Sequence, residues 1–103
     1  MRFRLDFADG WSHDRVVVLV DGREACRLDD VTTRPATNLA RSVDIDVPGG
    51  NGGTAGGLDL VVEAPGRSLR GSYRVAADQG LVVVNASPDG LRFVTPSGPY
   101  GYG

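Results

Sequence analysis

The sequence predicts an all-β fold, a single-domain antiparallel β-sandwich of about seven or eight strands or else a small barrel. Three observations carry that expectation. Short runs alternate strictly between apolar and polar residues, the period-two signature of a strand with one wet face. No window of about 11 residues or more repeats at helical period. Turn residues separate the runs at intervals of about 8–15 residues, the spacing of a sandwich and not of alternating strands and helices.

Residues 1–7, MRFRLDF, set Met1, Phe3, Leu5 and Phe7 against Arg2, Arg4 and Asp6. Turn residues follow at 8–13, and residues 14–28, DRVVVLVDGREACRL, then read as a hairpin around Asp21-Gly22. A two-residue type I′ turn needs positive φ at both central positions, which Asp-Gly supplies. Residues 29–38 are too polar and interrupted for a central strand, and 37–41 suffice for one helical turn. RSVDIDV at 41–47 alternates again, with Val43, Ile45 and Val47 inward and Ser42, Asp44 and Asp46 outward. A ten-residue loop at 48–57 holds six of the fifteen glycines. LDLVVEA at 58–64 is the return strand, and Pro65-Gly66 turns it into 67–75. A last pair, 81–84 and 91–94, is joined by a segment containing Pro88-Asp89-Gly90, where Pro presets φ and Gly accepts a left-handed conformation. The domain is expected to span 1–95, with 96–103 a tail rich in Gly, Pro and Tyr.

Composition narrows the function. At 103 residues one core suffices, and 41% apolar with 23% charged residues is an ordinary globular balance. A net charge of −2 provides no field to draw in a phosphate backbone, so nucleic acid is not an expected partner. Every one of the eleven basic residues is Arg, which removes Schiff-base chemistry and the P-loop lysine, both of which need an ε-amine. Cys26 is alone, so no internal disulfide forms. No basic–apolar–small leader follows Met1 and no apolar run approaches the roughly 18 residues that span a bilayer, so the expected location is cytoplasmic, without membrane contact.

Catalytic constellations fail on geometry. Gly50–Ala55 fits G-x-G-x-x-A, but a strand-like run follows, so no helix N-terminus is there to seat a pyrophosphate. Ser12, His13 and Asp14 are the residue types of a hydrolase triad, yet neighbours on an extended segment point to opposite faces. No catalytic residue and no cofactor is therefore expected. Cys26 reads as a buried, inert thiol opposite Val17, and Asn85-Ala86-Ser87 matches the glycosylation pattern by chance. Asp44, Asp46 and Asp59 are weak metal candidates: pairing Val47 with Leu58 would set Asp46 against Asp59, a like-charge contact that Ca²⁺ or a ladder of Arg70 and Arg74 would neutralise.

The hairpin leaves apolar surface over. A plain two-residue turn places Val20 opposite Arg23, Val18 opposite Ala25 and Val16 opposite Arg27. With Val17, Leu19, Cys26 and Leu28 in the core, Val16, Val18 and Val20 need a cover: the tail with Tyr100 and Tyr102, a loop, or another protomer. Val16, Val18, Val20, Arg23, Arg27, Tyr100 and Tyr102 are thus the interface candidates. The strand pattern resembles immunoglobulin-like and transthyretin-like sandwiches in architecture, although the immunoglobulin Cys…Trp…Cys pattern is missing. The expected function is a non-catalytic interaction module for a protein partner or self-association, a homodimer included. The alternative is a Ca²⁺- or carbohydrate-binding module, with Trp11, Tyr73 or Tyr100 stacking on sugar.

Overall fold

The computed structural model describes residues 2–47, 57–76 and 79–95, so the glycine loop at 48–56 and the tail with Tyr100 and Tyr102 lie outside the described residues. Eight strands form two four-stranded sheets packed face to face: β1 (Arg2–Phe7), β2 (Asp14–Val20), β3 (Arg23–Val31), β4 (Arg41–Asp46), β5 (Leu58–Ala64), β6 (Leu69–Val75), β7 (Leu81–Ser87) and β8 (Gly90–Val94). One sheet runs β4-β1-β7-β8 and the other β3-β2-β5-β6. This is a β-sandwich and not a closed barrel.

Period two builds each layer. Phe3, Leu5 and Phe7 of β1 and Val82 and Val84 of β7 point inward from the first sheet, and Val16, Val18, Leu60 and Val62 meet them from the second. All nine are at most 2% exposed, each contributing about 1.5–3 kcal/mol by leaving water. Trp11, in the loop after β1, closes one end of the core. Its ring meets Phe7 edge-on at 5.3 Å, and its indole N–H donates to the Val84 carbonyl at 3.1 Å.

Three expectations are corrected here. The pairs are not all antiparallel, since β1 runs parallel to β7, with Arg4 beside Leu81 and Phe7 beside Val84. The short helical turn falls at Pro65–Arg67, as a 3-10 turn with Pro at its start, and not at 37–41, where an Arg34–Leu39 bridge closes a tight turn. The hairpin register also departs from the plain pairing. Val20 and Leu19 face Arg23 and Glu24, but Val18 faces Cys26, Val17 faces Arg27 and Val16 faces Leu28, because Ala25 is an extra residue on β3.

That one-residue bulge reverses the expected faces of β2. Val16, Val18 and Val20 are the core face, at 0%, 0% and 7% exposure, and they lie against the opposite sheet. Val17 and Leu19 stand on the outer face. The surplus valine surface is therefore filled by the sandwich itself.

Candidate functional site

A sandwich has four edge strands, each a row of backbone N–H and C=O groups that could pair with another chain. In this fold they differ sharply. β6 and β8 lie against each other, so close that a Cβ on Gly71 would stand 2.9 Å from the Phe93 ring and 3.1 Å from Leu91 Cβ. Tyr73 stacks on Phe93 across the same seam at 5.5 Å. β3 borders the opposite side, and two bulges break its ladder, one at Ala25 and one where Asp29 and Asp30 intervene between the Leu28 and Val31 pairings. Asp30 there has φ 56°, a left-handed conformation that no regular strand continues through.

β4 is the exception. It pairs with β1 over six consecutive residues without a register shift, from Arg2 opposite Asp46 to Phe7 opposite Arg41. Among the described residues no strand occupies its other edge. The run is about 20 Å of regular extended backbone. Its inward side chains are Val43, half-buried against the core, and Ile45, 5% exposed. Its outward side chains are Ser42, Asp44 and Asp46, all exposed.

The charges along this edge are unevenly answered. Among the described residues Asp46 approaches Arg2 alone, at 3.7 Å, with both side chains about two-thirds exposed or more, 66% and 72%. Among the described residues no hydrogen bond or ion pair engages the Asp44 side chain, whose backbone pairs with Arg4. Arg4, which sits opposite Asp44, turns its guanidinium to Asp6 at 2.8 Å and to Ser42 at 3.2 Å. Asp6 is wholly buried and also accepts the Ser42 hydroxyl. β1's basic charge is thus drawn toward Asp6, and β4 keeps an acidic outer edge.

The weak metal candidates are not brought together. Asp44 and Asp46 lie on the first sheet and Asp59 on the second, because β4 pairs with β1 and not with β5. Asp59 takes Arg74 at 2.8 Å and Glu63 takes Arg70 at 3.1 Å, so the arginine ladder is present, two residues out of the simple register because the 3-10 turn lengthens the β5–β6 connection. The shallow depression over that ladder is lined by Asp59, Val61, Arg70, Ser72, Tyr73 and Arg74, and its carboxylates and guanidinia satisfy one another. Among the described residues no group of three or more His, Cys, Asp or Glu side chains is placed to hold a metal ion.

The remaining named residues fall as follows. Arg23 and Arg27 are exposed on β3, and Arg27 Nε donates to Glu24 at 2.9 Å, which holds the Glu24 carboxyl below its usual range. His13 Nδ1 meets Asp30 at 2.6 Å on the surface and lies 3.5 Å from the Thr32 hydroxyl, which accepts the His13 backbone N–H at 2.9 Å. Cys26 is half-buried opposite Val18, not Val17, and burial pushes its thiol up, against the pull of the Arg41 charge. Trp11 is buried, and Tyr73 is half-buried against Phe93 and lines the depression over the ladder. Asn85 uses its side-chain oxygen to accept the Asp9 N–H at 2.8 Å. The buried carboxylates Asp6 and Asp14 escape sequence reading, because each occupies an alternation position or strand start that ordinarily faces water.

No family model matches the sequence, and no curated protein or solved structure shows significant similarity to it. Among the described residues no helix is long and apolar enough to cross a membrane.

Proposed function

We propose that this domain is a non-catalytic interaction module that holds another polypeptide by strand addition at the outer edge of β4. The observation that carries the reading is the contrast among the four edges: β6 and β8 are regular but pack side chains against each other across the seam, β3 is broken by two bulges, and β4 is regular with no strand on its outer edge among the described residues. Natural sandwiches blunt exposed edges with bulges, as β3 does, so an edge without one is a position kept available. Strand addition takes affinity from main-chain hydrogen bonds and specificity from alternate side chains, and β4 supplies both.

A second copy fits this edge poorly. Two β4 strands meeting antiparallel about their centre with their faces matched set Asp44 against Asp44, and a shift of two residues sets Asp44 against Asp46, a like-charge contact in either register. The partner is therefore a different polypeptide segment. Selection of a random peptide library against the folded domain, followed by amide NMR mapping of the selected peptides, tests the reading. Shifts concentrated at residues 41–46 support it, and shifts confined to the outer face of the other sheet, or no selectable peptide, overturn it.

A further inference from the structure

Resting on that reading, we infer that the segment held at β4 is an extended chain that alternates basic and apolar residues, its basic side chains over Asp44 and Asp46 and its apolar ones over Val43 and Ile45. The face a strand presents is the same toward both of its neighbours, because side chains stand perpendicular to the sheet. What β4 accepts on its occupied edge is visible: Arg2 opposite Asp46, Phe3 opposite Ile45, Arg4 opposite Asp44 and Leu5 opposite Val43. Over these four pairs the occupant is basic–apolar–basic–apolar, followed by Asp6 opposite Ser42 and Phe7 opposite Arg41, and the other edge offers the same sequence of faces.

The charge balance of the occupied side makes the second edge the more demanding one. Arg4 is spent largely on buried Asp6, and Arg2 is 3.7 Å from Asp46 in open solvent. Asp44 remains without an ion pair among the described residues. A basic side chain arriving from the outer edge finds two carboxylates at alternate positions on one face, about 7 Å apart, the spacing of its own alternate residues. Between them Val43 is half-buried, and an apolar residue opposite it would complete the rim of the core. An acidic segment meets repulsion at both carboxylates, and a segment with clustered charge loses either the apolar or the basic contact.

Three synthetic hexapeptides separate these cases: Arg-Val-Arg-Ile-Arg-Val, the charge-reversed Glu-Val-Glu-Ile-Glu-Val, and the block sequence Arg-Arg-Arg-Val-Ile-Val. Each is titrated into the 103-residue chain with amide shifts and fluorescence anisotropy as readouts. The alternating basic peptide is expected to bind at 41–46 on the order of tenfold more tightly than either control, and more weakly as salt rises. In D44R/D46R, the preference between the basic and acidic alternating peptides is expected to invert, with a lowered thermal midpoint from the new contacts to Arg2 and Arg4 but an unchanged circular dichroism spectrum below it.

Equal binding of the acidic and basic peptides at β4, or equal binding of the block peptide, overturns the inference and leaves the strand-addition reading standing. Library peptides that bind β4 without alternating basic residues do the same. Binding of the alternating peptide elsewhere, or of no peptide from any source, overturns both. A mass near twice 10.8 kDa that D44R/D46R restores to one chain would put a second copy on the edge and also overturn the inference.

Discussion

Arg67 grips Asp14 with two hydrogen bonds, Nε to Oδ1 at 2.9 Å and Nη2 to Oδ2 at 2.7 Å, across 53 residues of chain. The same Nη2 reaches the Gly10 carbonyl at 2.8 Å, and the carboxylate also accepts the Ser12 N–H at 2.9 Å. One guanidinium therefore ties the 3-10 turn after β5 to the loop that leads into β2. Burial alone would raise the Asp14 pKa, but the Arg67 hydrogen bond, the Ser12 N–H and the Arg67 and His13 charges outweigh it and hold the carboxyl below its ordinary value.

Removing either partner strands the other. Arg67→Ala leaves Asp14 unpaired at 6% exposure and is expected to cost about 2–4 kcal/mol in urea unfolding at pH 7. Because the folded carboxyl titrates lower than the unfolded one, its contribution is complete above the unfolded value and fades as pH falls through the folded one. The gap between the parent protein and Asp14→Asn should therefore be wide at pH 7 and narrow toward pH 2–3. A gap independent of pH would show that the pair contributes no linked proton.

Gly71 is set by the seam it lies under. Gly71→Ala would drive its methyl to within 2.9 Å of Phe93 and 3.1 Å of Leu91, so overpacking of about 1–3 kcal/mol is expected. The Tyr73–Phe93 stack should shift with it, giving changed ring-current shifts on both rings by NMR. An unchanged midpoint would mean that the two edges part at no cost.

Ala25 is the extra residue of the β3 bulge. Ala25→Gly should change stability little, since the residue is exposed. Deleting Ala25 removes the bulge and keeps every pairing, Leu19 with Glu24, Val18 with Cys26 and Val16 with Leu28, so the same side chains stay inward. A cooperative thermal transition close to that of the parent is the expected result by circular dichroism, and its loss would show that the local bend of the bulge is required for packing.

Cys26 should be a slow thiol. Burial lifts its pKa and Glu24 adds to this, while Arg41 opposes it, the net being upward. Alkylation by iodoacetamide at pH 8 in the folded protein is expected to run well below the rate in urea, because thiolate and access both fall. Equal rates would show that the β3 side of the core opens freely.

Strand positions were legible because they rest on local alternation. Residues 58–64 and 41–47 read as strands and form β5 and β4 within one residue of those bounds. Pairing partners were not legible, because they depend on what lies across space. Nothing local to RSVDIDV states that its neighbour is RFRLDF, at least 34 residues earlier and itself a strictly alternating run, with Arg2 and Arg4 facing Asp46 and Asp44. The bulge was equally hidden, since Ala25 carries neither the glycine nor the charge pattern that flags one. With the partners unknown, Asp44 and Asp46 seemed adjacent to Asp59, whereas a sheet boundary separates them.

β1 sits between β4 and β7, so Arg2–Phe7 form the middle of a sheet and not its margin. During synthesis β1 and β4 can meet as a two-stranded ribbon, which is marginal in water by itself. The neighbour that completes β1, with Arg4 beside Leu81 through Phe7 beside Val84, emerges only when most of the chain has been made. β1 thus waits for a strand more than 70 residues later in the chain, and removing residues 2–7 would take out the central seam of the first sheet, leaving β4 attached only through Val43 and Ile45 against the core.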